Sequence, residues 1–183
     1  MTLIIDTQVD FFGHDRLVRR RAALAKCINE LVAASRASGT PVIWVKQEFA
    51  PDLSDASLEA RRKNIRIVIA GSPGAALLPE LDFHGSDTVI TKKRYSAFFG
   101  TDLDRTLGRL GPEALVVAGI NTHACVRATV IDAYQRDYDV ILARECIDSH
   151  DEQHHDVSWR YMDGKLGRGM SNAEIGLLMS SAV

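Results

Sequence analysis

The 183 residues fit one compact domain, and 46% hydrophobic with 25% charged residues is the balance of an ordinary globular protein. A chain of this length buries roughly 70% of its unfolded surface, so it needs no disulfide or metal staple. A formal net charge of −2 and a pI of about 6.3 give no electrostatic reason to expect nucleic acid or an anionic membrane, which leaves a small molecule as the expected partner.

Leu3-Ile4-Ile5 opens the chain as a buried strand, too short for a signal peptide and without a basic leader. Leu17, Leu24, Ile28, Leu31 and Val32 recur at helical spacing between Arg16 and Arg36, and Gly39-Thr40-Pro41 ends that helix. Val42 to Val45 reads as a second strand. The stretch from Lys46 to Pro79 reads as irregular, with turns at Pro51, Gly71, Pro73 and Gly74. Thr88 to Thr91 is a third strand, and a helix is expected from Thr101, with Asp104 placed as in a capping box. Ala114 to Gly119 is a fourth strand, Cys125 to Arg136 a helix, and Val140-Ile141-Leu142 a fifth strand. One more helix begins near Asp151, and a last one follows Asn172 as its N-cap. Continuous apolar strands alternating with helices predict a three-layer α/β/α domain, mainly parallel, over residues 1–183. No stretch reaches the ~20 apolar residues of a membrane span. The three scattered cysteines, Cys27, Cys125 and Cys146, argue for a reducing compartment, so a soluble cytoplasmic protein is expected.

Ligands of such sheets lie beyond the carboxyl ends of the strands. Three chemically useful side chains fall there: Asp6 after the first strand, Lys92 after the third, and Cys125 at the start of the helix after the fourth. The first turn of a helix and a nearby ammonium both favour a thiolate at Cys125, and Asp6 can carry a proton between thiol and leaving amine. The polar connection Gly119 to Ala124 can aim backbone N–H groups at an oxyanion. Each residue also has a plainer reading: Asp6 as a turn residue, Lys92 or Lys93 as a solvated charge, Cys125 as a small buried apolar group. Cys146, also near a strand end, is the rival nucleophile. His150 and His154 lie one helical turn apart, but the segment does not match H-E-x-x-H and reads as a polar helix start.

Three segments resemble the isochorismatase-like hydrolases in order and strand context. They are Leu3 to Phe12, with Asp6 as its first aspartate; Thr91 to Phe98, with Lys92 three places before Tyr95; and Ala118 to Val126, carrying Cys125. The resemblance covers nearly the whole chain. It implies a catalytic triad of Asp6, Lys92 and Cys125, a cis peptide at Ile120-Asn121, and an oxyanion hole from the backbone N–H groups of Asn121 and Cys125. It also implies self-association as a homodimer or larger homo-oligomer. The metal-binding members of the family place an Asp-x-His element and a further histidine after the second strand. This chain has no histidine between His14 and His84, so neither metal nor other cofactor is expected.

The presence of Cys125 favours covalent hydrolysis of a carbon–nitrogen bond in a small amide, ureide or N-carbamoyl compound. Cys125-Val126-Arg127-Ala128-Thr129 is similar to the N-carbamoylsarcosine amidohydrolases, with ureidoacrylate amidohydrolases as a further likeness. Two alternatives remain: vinyl-ether hydrolysis with Asp6 as general acid, and a non-enzymatic binding protein on the same fold. Phe12, Trp44, Tyr95, Phe98 and Thr122 are the expected pocket walls.

Overall fold

The computed structural model describes residues 1–181. Six strands form one parallel sheet in the order β3-β2-β1-β4-β5-β6. In chain order they are β1 (Thr2–Ile5), β2 (Val42–Gln47), β3 (Thr88–Lys92), β4 (Ala114–Gly119), β5 (Asp139–Ile147) and β6 (Arg168–Met170). The helices are α1 (Asp15–Ala37), α2 (Leu58–Lys63), α3 (Leu103–Leu110), α4 (Arg127–Tyr134), α5 (Glu152–Met162) and α6 (Asn172–Ser181).

The alternation of side chains along each strand sorts the core into two layers. Leu3, Ile5, Ile43, Val45, Val117 and Leu142 pack against α3, α4 and α5 on one face. Ile4, Trp44, Val116 and Ile141 pack against α1 and α6 on the other. Each fully buried aliphatic side chain contributes about 1.5–3 kcal/mol, so both faces are strongly held. The chain winds outward from β1 to β3, then returns to lay β4 on the other side of β1. That reversal, between β1 and β4, is where a crevice opens at the carboxyl ends.

Several boundaries differ from expectation, each for a local reason. The segment after β2 is not wholly irregular. It holds α2, capped by the Ser57 hydroxyl accepting from the Ala60 N–H at 3.2 Å, and an apolar cluster of Phe49, Leu53, Ala56, Ala60, Val68 and Ala75. Gln8 clasps both ends of this segment: its Nε2 donates to Gln47 O and Ala75 O, each at 2.8 Å, and its Oε1 accepts from the Gln47 N–H at 2.7 Å. The glycine-containing strand β6 lacked the β-branched signature of the others. Helix α3 starts at Leu103, two residues late, because Thr101 Oγ1 accepts from Leu103 N–H at 3.1 Å while Asp104 pairs with Arg136 instead. Ser171, not Asn172, caps α6: its hydroxyl accepts from Glu174 N–H at 3.2 Å and the Glu174 carboxylate accepts from Ser171 N–H at 2.7 Å, a reciprocal capping box. Among the described residues no helix is long and apolar enough to cross a membrane.

Candidate active site

Four adjacent strands, β3, β2, β1 and β4, deliver Lys92, Gln47, Asp6 and Cys125 to one point. Lys92 and Gln47 end their strands and are paired in register. Asp6 follows β1 with φ +54°, a left-handed conformation uncommon outside glycine and held by its N–H donating to Val45 O at 2.8 Å. Cys125 sits in a single π turn, Thr122–Val126, between β4 and α4. The sequence had placed it in the first α turn; the wider turn arises because Val126 N–H reaches back to Asn121 O at 3.2 Å.

The Lys92 ammonium is the hub. It donates to Asp6 Oδ2 at 2.7 Å, Gln47 Oε1 at 3.0 Å and Arg94 O at 3.1 Å, and lies 3.4 Å from Cys125 Sγ. Its side chain is fully buried. Burial alone would lower its pKa, but the Asp6 carboxylate and Cys125 outweigh that and hold it above the ordinary lysine value. Burial lifts the Asp6 carboxyl above the usual carboxylate range, with Lys92 opposing part of the rise. Asp6 Oδ1 is buried without a hydrogen-bond partner among the described residues.

Cys125 corrects a second expectation. Helix start and ammonium were expected to favour a thiolate. Burial and then the Asp6 carboxylate push the thiol's pKa well up, and Lys92 offsets only part of this. The resting pair is therefore a thiol beside a carboxylate of raised basicity.

Behind the cysteine, the Ile120–Asn121 peptide is cis, as the family resemblance implied. Asn121 Oδ1 accepts from the His150 N–H at 3.0 Å. Asp148 braces the same loop: its N–H donates to Gly119 O at 3.2 Å and its carbonyl accepts from Thr122 N–H at 3.0 Å. The buried Asp148 carboxylate is gripped by Arg16 and by Arg20 Nε, the latter at 2.8 Å. Burial opposes ionisation there, but the two guanidinium groups prevail and hold its pKa below the usual value.

A cavity of about 300 Å³ has Cys125, Gln47 and Asn121 in its lining. Of the five expected wall residues only Tyr95 lines it. Phe12 packs into the α1 layer, and Trp44 lies in the same layer with its Nε1 donating to Asp87 at 2.9 Å. Phe98 lies in the opposite core layer under the Arg136 guanidinium. Thr122 is buried with its hydroxyl 2.7 Å from His155 Nδ1. Large apolar groups near a motif serve the core as readily as a pocket, and that is what these do. The walls missed by sequence reasoning come from the segment after β2, among them Phe49, Ser57, Glu59 and Ile67, and from His14, His123 and His150. Gln47 was missed as well; its signal was its place at a strand end, masked by flanking Lys46 and Glu48. Cys146, the rival nucleophile, is buried in the α1 and α6 layer, its thiol donating to Asn172 Oδ1 at 3.2 Å. Among the described residues no three His, Cys, Asp or Glu side chains are grouped to hold a metal ion.

Comparison with known proteins gives the family of the chain. Residues 1–174 match the model of the isochorismatase domain, and the chain belongs to the isochorismatase family. It is 30% identical over 139 residues to the maleamate amidohydrolase of Pseudomonas putida, covering 75% of this chain and 65% of that one. It is 33% identical over 152 residues to a ureidoacrylate amidohydrolase of Methylorubrum extorquens, covering 74% and 60%. The chain thus spans under two thirds of the length of these relatives. The crystal structure of N-carbamoylsarcosine amidase from Thermoplasma acidophilum superposes with a TM-score of 0.78 at 26% identity, covering 94% of this chain and 96% of that one.

Proposed function

We propose that this protein is a cysteine-dependent, metal-independent hydrolase of a carbon–nitrogen bond in a small amide, ureide or N-carbamoyl compound. The observation that carries the reading is the contact of the Lys92 ammonium with both Asp6, at 2.7 Å, and Cys125, at 3.4 Å, beside a cavity of about 300 Å³. The amidohydrolase and amidase names of the relatives support the same reaction class.

The thiol starts protonated. As Sγ attacks the substrate carbonyl, its proton passes to Asp6, and the carbonyl oxygen becomes an oxyanion held by the N–H groups of Asn121 and Cys125. Asp6 then gives that proton to the departing nitrogen, the C–N bond breaks, and a thioester remains. Water attacks the thioester and yields a proton to Asp6. The C–S bond breaks, and the sulfur recovers its proton from Asp6. Lys92 stays an ammonium throughout, offsetting negative charge as it moves between carboxylate and sulfur.

Ammonia release from a panel of amides, ureides and N-carbamoyl compounds, with EDTA present, tests this. Turnover should persist in EDTA and fall by at least about a thousandfold in Cys125→Ala. Turnover that survives the substitution would overturn Cys125 as the nucleophile and leave the C–N cleavage to acid catalysis by Asp6 or to Cys146. Hydrolysis of a vinyl ether, with the amide panel silent, would favour the alternative in which Asp6 is the general acid. Family membership is also the ground for proposing a homo-oligomer, to be checked by light scattering. The three unpaired cysteines, Cys27, Cys125 and Cys146, are the ground for proposing a reducing, cytoplasmic setting.

A further inference from the structure

The cavity that holds Cys125 is also lined by three imidazoles that the reaction above does not use, those of His14, His123 and His150. The rings of His14 and His150 stack with centroids 4.6 Å apart, and His123 meets His150 edge-on at 5.1 Å. His154 stands beside them, 5.3 Å from His123.

Their inner nitrogens are committed. Asn121 Oδ1 accepts the His150 backbone N–H at 3.0 Å, which identifies that atom as the amide oxygen, an acceptor only. His150 Nδ1, 3.1 Å from the same oxygen, must therefore carry a hydrogen, and the neutral ring keeps a bare lone pair on Nε2. His123 Nδ1 is 2.7 Å from Ser149 Oγ. The Nε2 atoms of both rings are what remains for a ligand.

Charge in the cavity narrows the ligand. Its lining contains no lysine or arginine, so the imidazoles are the only lining side chains that can gain positive charge. The two carboxylates in the lining are engaged elsewhere: Asp10 accepts from Val68 N–H at 2.6 Å, and Glu59 pairs with Lys63 at 2.7 Å. Behind the rings, Asp151 pairs with His154 at 3.2 Å, and Asp148 is held by Arg16 and Arg20.

We propose that His123 and His150, backed by His14, bind a carboxylate on the end of the substrate remote from the scissile bond, and that this anion enters together with a proton. The inference rests on the hydrolase reading and assigns the side chains that receive an acid group on its substrate. The proton comes from solvent, adds to the His150 Nε2 lone pair, and converts that atom from acceptor to donor toward the carboxylate. In the free protein burial, and then the neighbouring imidazoles, hold His123 and His150 below the ordinary histidine range, so both are neutral at pH 7. A bound carboxylate reverses that balance. Anion affinity is then greatest at low pH and falls as pH rises from the free-state pKa to the higher bound-state one.

Calorimetry with malonate as the probe and malonamide as its neutral counterpart tests the proposal without requiring turnover. Cys125→Ala protein is used so that malonamide stays intact, and wild type with malonate checks that the substitution leaves binding as it was. The expected result is malonate binding whose heat differs between Hepes and Tris, reporting uptake of up to one proton. Its affinity should fall by up to about tenfold per pH unit between about pH 6 and 8. Malonamide should show neither effect. His150→Gln and His123→Gln should each weaken malonate about tenfold, and the double substitution should abolish proton uptake; exposed His84→Gln should change nothing. Failure of malonate to bind, a heat independent of buffer, an affinity flat in pH, or uptake that persists in the double variant each overturns the proposal. If malonate fails while Cys125→Ala still abolishes amide turnover, only this inference falls. If malonate behaves as expected and no amide is hydrolysed, the hydrolase reading falls with the substrate assignment built on it, and the histidine anion site alone stands.

Discussion

At the residue scale, Lys92 carries an unusual burden. A fully buried ammonium stays charged because acceptors surround it, and Asp6 depends on it in return. Lys92→Met should therefore leave a buried carboxylate without its countercharge, destabilising the fold by about 3–5 kcal/mol, read from the denaturant midpoint. Adding Asp6→Asn should recover part of that loss rather than add to it. In the proposed reaction Asp6 must be ionised to receive the thiol proton, and its pKa is raised, chiefly by burial. The acid limb of kcat/KM should accordingly lie above the ordinary carboxylate range of about 4 and not within it. The three strand-end residues were legible because topology fixes where such ends meet. Gln47 and the histidines were not, since nothing in a local stretch of sequence says which polar side chain turns inward. The aromatic residues misled for the opposite reason: Phe12, Trp44 and Phe98 satisfy the core.

At the element scale, strands with β-branched runs and the long amphipathic helix α1 were readable, whereas α2 and β6 were too short to carry a period. Close packing between β1 and β4 rests on one glycine. Gly119 has φ +113°, and a Cβ there would stand 2.0 Å from Ile5 O in the neighbouring strand. Gly39 has φ +68° with nothing within 4 Å of a built Cβ. Gly119→Ala should thus destabilise by several kcal/mol through collision with backbone, while Gly39→Ala should cost only about 1 kcal/mol of conformational strain. Melting temperatures of the two variants would separate contact from conformation.

Across the whole molecule, the sheet and its two helical layers followed from apolar runs alternating with helices. The strand order did not, because it depends on which side of β1 the chain chooses on its return. Asp148 ties distant parts together: it joins α1 through Arg16 and Arg20 to the loop that presents Asn121. Its folded pKa is depressed, so its contribution to stability is present above about pH 4 and is lost as pH falls through the lower folded value. Asp148→Asn should make stability less sensitive to acid below pH 4 and lower it at neutrality, checked by urea titrations across that interval.

The Gln8 clasp separates the cavity wall from the sheet that bears the triad. One amide gathers Gln47 and Ala75, so the stretch between them leaves the sheet and returns to almost the same place. That stretch supplies Phe49, Ser57, Glu59 and Ile67 to the cavity, and neither Asp6, Lys92 nor Cys125 lies within it. It is a cassette with both ends sewn to one stitch. Substitutions within it would reshape the cavity wall and leave Asp6, Lys92 and Cys125 in their places at the carboxyl ends of the strands.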